Sequence, residues 1–240
     1  MPGLSRRAVM LNASAFAAAF ALGGCTSASS DGEPQAQALV TEPAPSFGAD
    51  PNYLAMYSAV EGERFPVPAV DLAKIDPAFL RTEVDYTTAE PPGTIIVDPQ
   101  ARYLYFVQPG GRAIRYGVGV GKEGFEWSGE ATINSKQEWP DWYPPAEMIE
   151  RRPDIKPQLV QLQSGLGVAG GPTNPIGARG HYLWQNNKDT LYRIHGTTEP
   201  WTIGKNVSSG CIRMINQDVI DLYARTAIGT RVVVVPANIG

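Results

Sequence analysis

The chain has 240 residues, enough for one domain of ordinary size with flanking segments. It is 43% hydrophobic and only 18% charged, and its 25 glycines and 21 prolines favour a turn-rich β protein over a helical bundle. The formal net charge of −4 argues against nucleic acid as a partner, because nucleic-acid binding calls for a basic face.

The N-terminus has the pattern of an export signal. The Arg6-Arg7 pair forms a basic start, and the apolar run 15–22 (AFAAAFAL) is too short to span a bilayer as a helix. The tetrapeptide 22–25 (LGGC) resembles a lipobox, the bacterial lipoprotein cleavage signal whose cysteine is acylated. The sequence thus predicts a signal peptide over 1–25 with Cys25 as the lipidation site. The alternative is an ordinary signal peptide with an incidental cysteine.

The N-terminal residues also suggest an export route and a membrane anchor. Ser5-Arg6-Arg7 fits a twin-arginine signal as well as it fits an ordinary basic start. Residues 26–50 combine Ser, Ala, Pro and acids without any apolar period, which predicts a disordered tether. We therefore expect a periplasmic protein that a lipid anchors to a membrane.

The rest of the chain divides at residue 93. Residues 51–92 are predicted to be an irregular N-terminal extension, because prolines interrupt any longer element. From Gly93 onward, short β-branched and aromatic runs alternate with turn residues, as in a β-meander. Strands are predicted at 94–97, 102–107, 113–118, 182–184, 190–194 and 231–235.

Two helices are predicted. One begins with Asn216 as its cap, carries Asp218 in its first turn and ends before Gly229. A second, short helix covers 146–152 and is closed by Pro153.

The two cysteines have different predicted roles. If Cys25 is lipidated, Cys211 is the sole thiol of the mature protein, in a compartment where an unused thiol is a liability. Small, turn-forming residues precede it, among them Ser209 and Gly210, and such a turn exposes the sulfur and aims backbone N–H groups at an oxyanion. The alternative is a buried, inert core thiol.

A cysteine nucleophile needs a base, and the chain contains only two histidines. His195 ends a predicted strand and precedes Gly196, at the kind of position where loops and active sites form. His181 begins a predicted strand and is interpreted as a surface or edge histidine. His195 is therefore the candidate base.

Three segments together resemble the active-site block of the L,D-transpeptidases, the YkuD-type catalytic domain. They are 193–197 (RIHGT), 200–204 (PWTIG) and 207–214 (VSSGCIRM), and the step from His195 to Cys211 is 16 residues. The resemblance extends to 92–97 (PGTIIV) and 174–179 (NPIGAR). It implies a mainly β fold over 93–236, a YkuD-like sandwich or barrel with one or two short helices.

The resemblance also implies an activity. Cys211 attacks a peptidoglycan stem tetrapeptide, His195 protonates the departing D-alanine, and an amine then resolves the thioester. The product is a 3–3 cross-link or an outer-membrane protein attached to the wall, and no metal or organic cofactor is needed. Gly196 and Arg213 are assigned to substrate binding, and Arg213 fits the bracing of its loop equally well.

One residue departs from the family pattern, and other functions stay open. Ser209 occupies the position where many members carry a second histidine. If water is the acceptor, the enzyme is an L,D-carboxypeptidase. A chain that kept the fold without the chemistry would be a wall-binding lipoprotein.

Two further segments have competing interpretations. The aromatic and proline-rich stretch 138–145 (EWPDWYPP) is either a packed, rigid loop or a lid over the substrate groove. The stretch 119–124 (GVGKEG) matches the glycine pattern of dinucleotide sites, but residues 125–129 are not a helix start, so we interpret it as a β-turn.

Overall fold

The computed structural model describes most of the chain from residue 50 onward. Cys25, the predicted tether up to residue 49 and Ser209 lie outside the described residues. For residues 206–208 only the backbone is described. The described ranges are 50–121, 127–151, 153–208 and 210–236.

Within these ranges, nine strands form one mixed sheet. They are β1 (Thr82–Asp85), β2 (Ile95–Asp98), β3 (Tyr103–Gln108), β4 (Arg112–Gly117), β6 (Gly129–Glu138), β9 (Arg179–Gln185), β10 (Lys188–His195), β12 (Ile212–Arg213) and β13 (Arg231–Val234). Their order across the sheet is β1-β4-β3-β2-β13-β6-β9-β10-β12. Two further pairs join β5 (Val120–Gly121) to β11 (Asn206–Ser208) and β7 (Val160–Leu162) to β8 (Gly165–Gly167). The predicted mainly β class is confirmed.

The predicted meander is the antiparallel run β2-β3-β4. Its second turn contains Gly110 and Gly111, whose φ angles of 76° and 71° are readily accessible only to glycine. The final strand, β13, then inserts parallel to β2 and antiparallel to β6. The chain's last described strand therefore lies in the middle of the sheet.

The longest strand in the described part of the chain, β6, was not predicted from the sequence. It covers ten residues, of which only Ala131 and Ile133 are buried. The short edge strand β1, which pairs with β4, was not predicted either. Neither segment has the apolar pattern by which a strand is recognised from sequence.

Three short α-helices lie in the described part of the chain: α1 (Pro51–Met56), α2 (Ala146–Arg151) and α3 (Asn216–Arg225). None of the described helices has the length and apolar content required to cross a membrane. The predicted cap of α3 is wrong. Asn216 is the first helical residue, Ile215 holds the cap position without a side-chain bond, and the Asn216 amide bonds elsewhere.

The main core fills the space between the sheet and α3. Strand residues such as Ile95, Leu104 and Leu183 are fully buried there against Val219 and Leu222 of the helix. Burying one such side chain stabilises the fold by about 1.5–3 kcal/mol. The helix that follows Cys211 is therefore fixed to the sheet.

A second core joins the N-terminal segment to the same helix. Tyr57, Leu72 and Leu80 pack with Ile203 and Ile215, which flank the segment containing Cys211. Residues 51–92 thus contact the chain on both sides of the candidate nucleophile, although their local structure is only one short helix, two 3-10 turns and the edge strand β1.

Candidate active site

His195 is the last residue of β10, next to the edge of the sheet. Its neighbour Ile194 is fully buried in the main core. Because side chains alternate along a strand, His195 projects from the opposite face. It is only 5% exposed there.

Cys211 immediately precedes β12, which pairs in parallel with β10. The register places Ile194 beside Ile212 and His195 beside Arg213. Ile212 faces the main core, and Cys211 lies one residue before it, just outside the strand. The pairing of β10 with β12 therefore brings the end of the segment containing His195 next to the segment that Cys211 begins.

Cys211 is partly exposed. This partial exposure does not fit the alternative of a buried core thiol. Nucleophilic catalysis by cysteine requires an accessible sulfur, and the exposure of Cys211 is compatible with that requirement.

Backbone carbonyls orient the His195 ring. Nδ1 lies 2.6 Å from the carbonyl oxygen of Gly196, and the Ile176 carbonyl also favours the charged form of the ring. A carbonyl oxygen can only accept, so Nδ1 carries the proton of the neutral ring and Nε2 holds the basic lone pair.

Burial and then the charge of Arg213 lower the pKa of His195 to about 4, although the two carbonyls act in the opposite direction. The imidazole is therefore neutral at neutral pH. In that state it can accept the proton of a thiol.

Gly196 acts on the histidine through its backbone. Its carbonyl accepts from the ring, and its N–H donates to the Arg179 carbonyl at 3.1 Å. A Cβ on this residue would clash with Oδ1 of Asn216. Glycine is thus required for packing, and the predicted contact with substrate stays a prediction.

Arg213 is held through its backbone and its side chain. Its N–H and carbonyl exchange hydrogen bonds with Gly119 at 2.8 and 2.9 Å. One guanidinium nitrogen lies 3.8 Å from Oε2 of Glu199, a partly exposed pair that contributes little stability. These contacts fit the bracing role. The role in binding a substrate carboxylate stays a prediction.

The residue before the nucleophile adopts a backbone conformation that favours glycine. Gly210 is buried and has a φ of 108°, which side chains rarely tolerate. This shapes the turn that leads into Cys211. Ser209 lies outside the described residues, and the oxyanion role of the Gly210 and Cys211 N–H groups stays a prediction.

The segment 174–179 lies beside the His195 ring. Asn174 is fully buried, and its amide nitrogen donates to the carbonyls of Pro140, Val168 and Ala169 at 2.9 to 3.2 Å. Its Oδ1 accepts from the N–H of Ile176 at 2.9 Å. This asparagine fixes the turn that presents the Ile176 carbonyl to the imidazole.

The aromatic stretch is packed at its start. Trp139 is 4% exposed, lies edge-on to Phe65 with ring centroids 5.2 Å apart, and donates from Nε1 to Glu63 at 3.1 Å. This packing fits the packed-loop interpretation at Trp139, and the lid stays a prediction. Tyr143, further along, is exposed.

The prediction for His181 is wrong. It is fully buried, with Nδ1 3.4 Å from the Ile194 carbonyl and Nε2 3.2 Å from Oγ1 of Thr226. Burial lowers its pKa to about 4. Its position two residues before Leu183 on one strand was the signal for an inward-facing side chain.

Two other features adjoin the site. Residues 120–121 of the stretch 119–124 form β5, which pairs with β11, while residues 122–126 lie outside the described part. A cavity of about 280 Å³ opens between the N-terminal segment and the loop after His195, with Trp139, Thr197 and Trp201 in its wall. His195 and Cys211 do not line it.

No described cluster of three or more His, Cys, Asp or Glu could hold a metal ion.

Comparison with protein-family models assigns the chain to a family. The model of the L,D-transpeptidase catalytic domain (YkuD) matches residues 92–234, more than half of the chain. The chain belongs to the L,D-transpeptidase catalytic-domain family. The match contains His195, Cys211 and every strand from β2 to β13.

Individual relatives are similar over part of their length. The probable L,D-transpeptidase ErfK/SrfK of Escherichia coli is 32% identical over 148 residues, 59% of this chain and 43% of that protein. The chain thus spans less than half the length of this curated relative. The similarity to this relative therefore does not by itself establish the activity of the protein.

Two solved structures are also similar. One from Brucella melitensis, described as a probable carnitine operon oxidoreductase, is 51% identical over 69% of this chain and 99% of that chain, with a TM-score of 0.45. An L,D-transpeptidase from Mycobacterium smegmatis is 17% identical over 59% of this chain and 58% of that chain, with a TM-score of 0.41. Both TM-scores are below 0.5, so neither superposition supports a functional conclusion.

Proposed function

We propose that this protein is a peptidoglycan L,D-transpeptidase that uses Cys211 as nucleophile and His195 as general base and acid. The proposal is supported by the pairing of β10, which ends at His195, with β12, which Cys211 precedes, by the partial exposure of Cys211 and by the carbonyl contact of the His195 ring. Membership of the L,D-transpeptidase family supports the substrate class, the stem peptides of peptidoglycan.

In the first half-reaction, Nε2 of His195 takes the proton of the Cys211 thiol, and the thiolate attacks the carbonyl carbon before the terminal D-alanine of a stem tetrapeptide. The C–N bond of the tetrahedral intermediate breaks, and the imidazolium gives its proton to the leaving amine. A thioester remains on Cys211. Such proton transfer contributes about 10²–10⁴-fold in rate.

In the second half-reaction, an amine attacks the thioester while His195 removes its proton, and the thiolate leaves. A side-chain amine of another stem peptide gives a 3–3 cross-link, and a protein amine gives a wall-attached outer-membrane protein. Backbone N–H groups at Gly210 and Cys211 are the proposed donors to the oxyanion in both halves.

The test is incubation of the purified full chain, in detergent, with wall tetrapeptides, followed by mass spectrometry. We expect release of D-alanine, peptide dimers and a carbapenem adduct on Cys211. Cys211→Ala should give none of these, whereas Cys25→Ser should give all of them. Hydrolysis without dimers would make the protein a carboxypeptidase. Folded protein without an adduct or D-alanine release would leave a non-catalytic wall-binding protein.

We further propose that the chain is exported to the periplasm and anchored to a membrane through lipid on Cys25. The lipobox-like tetrapeptide 22–25 and the basic start support this. Cells fed a labelled fatty acid should label the wild-type protein and not Cys25→Ala. Equal labelling of both proteins would overturn the anchor.

A further inference from the structure

Asn216 lies five residues after Cys211, at the start of α3, and its side chain leaves the helix. Its Oδ1 accepts from the Ala178 N–H at 3.0 Å, and its Nδ2 donates to the Thr197 carbonyl at 3.0 Å. One amide therefore joins the helix after the nucleophile to the loop after His195 and to the turn that ends at Ala178.

Those two segments are the ones that hold the imidazole. The Gly196 carbonyl lies 2.6 Å from Nδ1 of His195, and the Ile176 carbonyl acts on the same ring by favouring its charged form. The bonds of Asn216 reach the residue after Gly196 and the second residue after Ile176. The amide therefore fixes the spacing between the two carbonyls that orient the ring.

Two glycines allow this close approach. A Cβ on Gly177 or on Gly196 would clash with Oδ1 of Asn216. Both glycines belong to the segments that carried the family resemblance. Their lack of a side chain is thus explained by the position of the Asn216 amide.

We propose that Asn216 is a positioning residue that orients His195 toward Cys211 by holding both carbonyl-bearing segments. The proposal rests on the roles proposed for those two residues. Asn216 provides an acceptor and a donor in one planar group, which neither Asp nor Ala supplies.

The adjacent residue offers a matched control. Nε2 of Gln217 donates to the carbonyls of Ser58 and Pro68 at 3.0 and 2.9 Å. Gln217 thus makes two amide-to-backbone bonds from the same end of α3, but to the N-terminal segment and not to the loops around His195. A merely structural role would give Asn216→Ala and Gln217→Ala the same phenotype.

The experiment is a double-mutant cycle on the full chain, with the rate of Cys211 alkylation by iodoacetamide as readout and thermal melting as the stability control. Asn216→Ala should slow alkylation about 10-fold or more and lower kcat by a similar factor with KM little changed. In the His195→Ala background, Asn216→Ala should have no further effect on alkylation, because its influence passes through the imidazole. Gln217→Ala should lower the melting temperature comparably and leave both rates unchanged.

Equal effects of Asn216→Ala in the wild-type and His195→Ala backgrounds would overturn the proposal, as would equal rate losses for Asn216→Ala and Gln217→Ala. If Asn216→Ala does not fold, Asn216→Asp takes its place, since it keeps the acceptor for Ala178 and loses the donor to Thr197. Alkylation needs no turnover, so the cycle gives a result even if the wild-type chain fails to transfer acyl groups. An inactive wild type overturns the proposed function, whereas an active one with an additive cycle overturns only the role of Asn216.

Discussion

Tyr57→Phe removes one hydroxyl from the contact between the N-terminal segment and α3. That hydroxyl donates to Oδ2 of Asp218 at 3.1 Å and accepts from the Arg81 N–H at 2.7 Å, and the side chain of Tyr57 is 1% exposed. The substitution leaves a partly buried N–H without its acceptor and a buried carboxyl without one donor. A buried group left unsatisfied costs about 1–3 kcal/mol, so we expect a loss of about 2–4 kcal/mol in the free energy of unfolding.

The loss should depend on pH. Burial raises the pKa of Asp218 to about 7, although Arg81 and the Tyr57 hydroxyl act in the opposite direction. A carboxyl whose folded pKa is raised contributes stability at low pH that is lost as pH rises through that pKa. Removing the hydroxyl raises the pKa further, so the penalty of Tyr57→Phe should be larger at pH 8 than at pH 5.

Urea unfolding of the full chain measures both effects, with Tyr103→Phe as control. The Tyr103 hydroxyl donates to the Ala78 carbonyl at 3.2 Å on the exposed surface, where water can replace the bond. We expect the control to change stability by less than about 0.5 kcal/mol. If Tyr57→Phe were as mild as the control, or equally costly at both pH values, this account of the Tyr57 and Asp218 contact would be refuted.

Three further predictions concern residues around the site. Gly196→Ala should destabilise the fold by about 1–3 kcal/mol in thermal melting, because its Cβ meets Asn216, and wild-type stability would refute that clash. Glu63→Gln should cost about 1–3 kcal/mol in urea unfolding, since buried Arg179 loses its charged partner at 2.6 Å. Arg179 holds the pKa of Glu63 below its usual value, so the difference in unfolding free energy between wild type and Glu63→Gln should shrink as pH falls below about 4.5. A difference that does not change with pH would refute this prediction. The pKa of His181 is lowered in the fold, so the free energy of unfolding should fall as pH drops from about 6.5 to about 4. His181→Leu should remove this pH dependence from urea unfolding. The same pH dependence in wild type and variant would refute the prediction.

Local patterns in the chain were enough to predict part of the sheet. β2, β3 and β4 are runs of β-branched and aromatic residues bounded by Pro and Gly, and each lies within one or two residues of its predicted bounds. β6 was missed because it has only two buried side chains in ten residues, and its pairing with β13 and β9 defines it as a strand. Pairing of this kind depends on partners distant in the sequence, which a local pattern does not contain.

Local sequence also predicted the candidate reactive pair. The spacing of His195 and Cys211 and the small residues before the thiol made them candidates, because reactive groups need particular residue types. The partners of that pair were not found. Asn174 had no predicted side-chain role, and Asn216 was taken for a helix cap, since a short polar residue before an apolar period has the same signature in either role.

The sequence by itself determined the family and the mainly β class, and it predicted two candidate reactive side chains, because all of these depend on residue type and short spacing. Only the tertiary structure decided that carbonyls from two separate segments hold the imidazole and that residues 51–92 pack against the helix after Cys211. Those contacts join residues up to 161 positions apart, as between Tyr57 and Asp218. They are made by backbone groups and buried amides, which every sequence contains and which acquire a role only when folding brings them together.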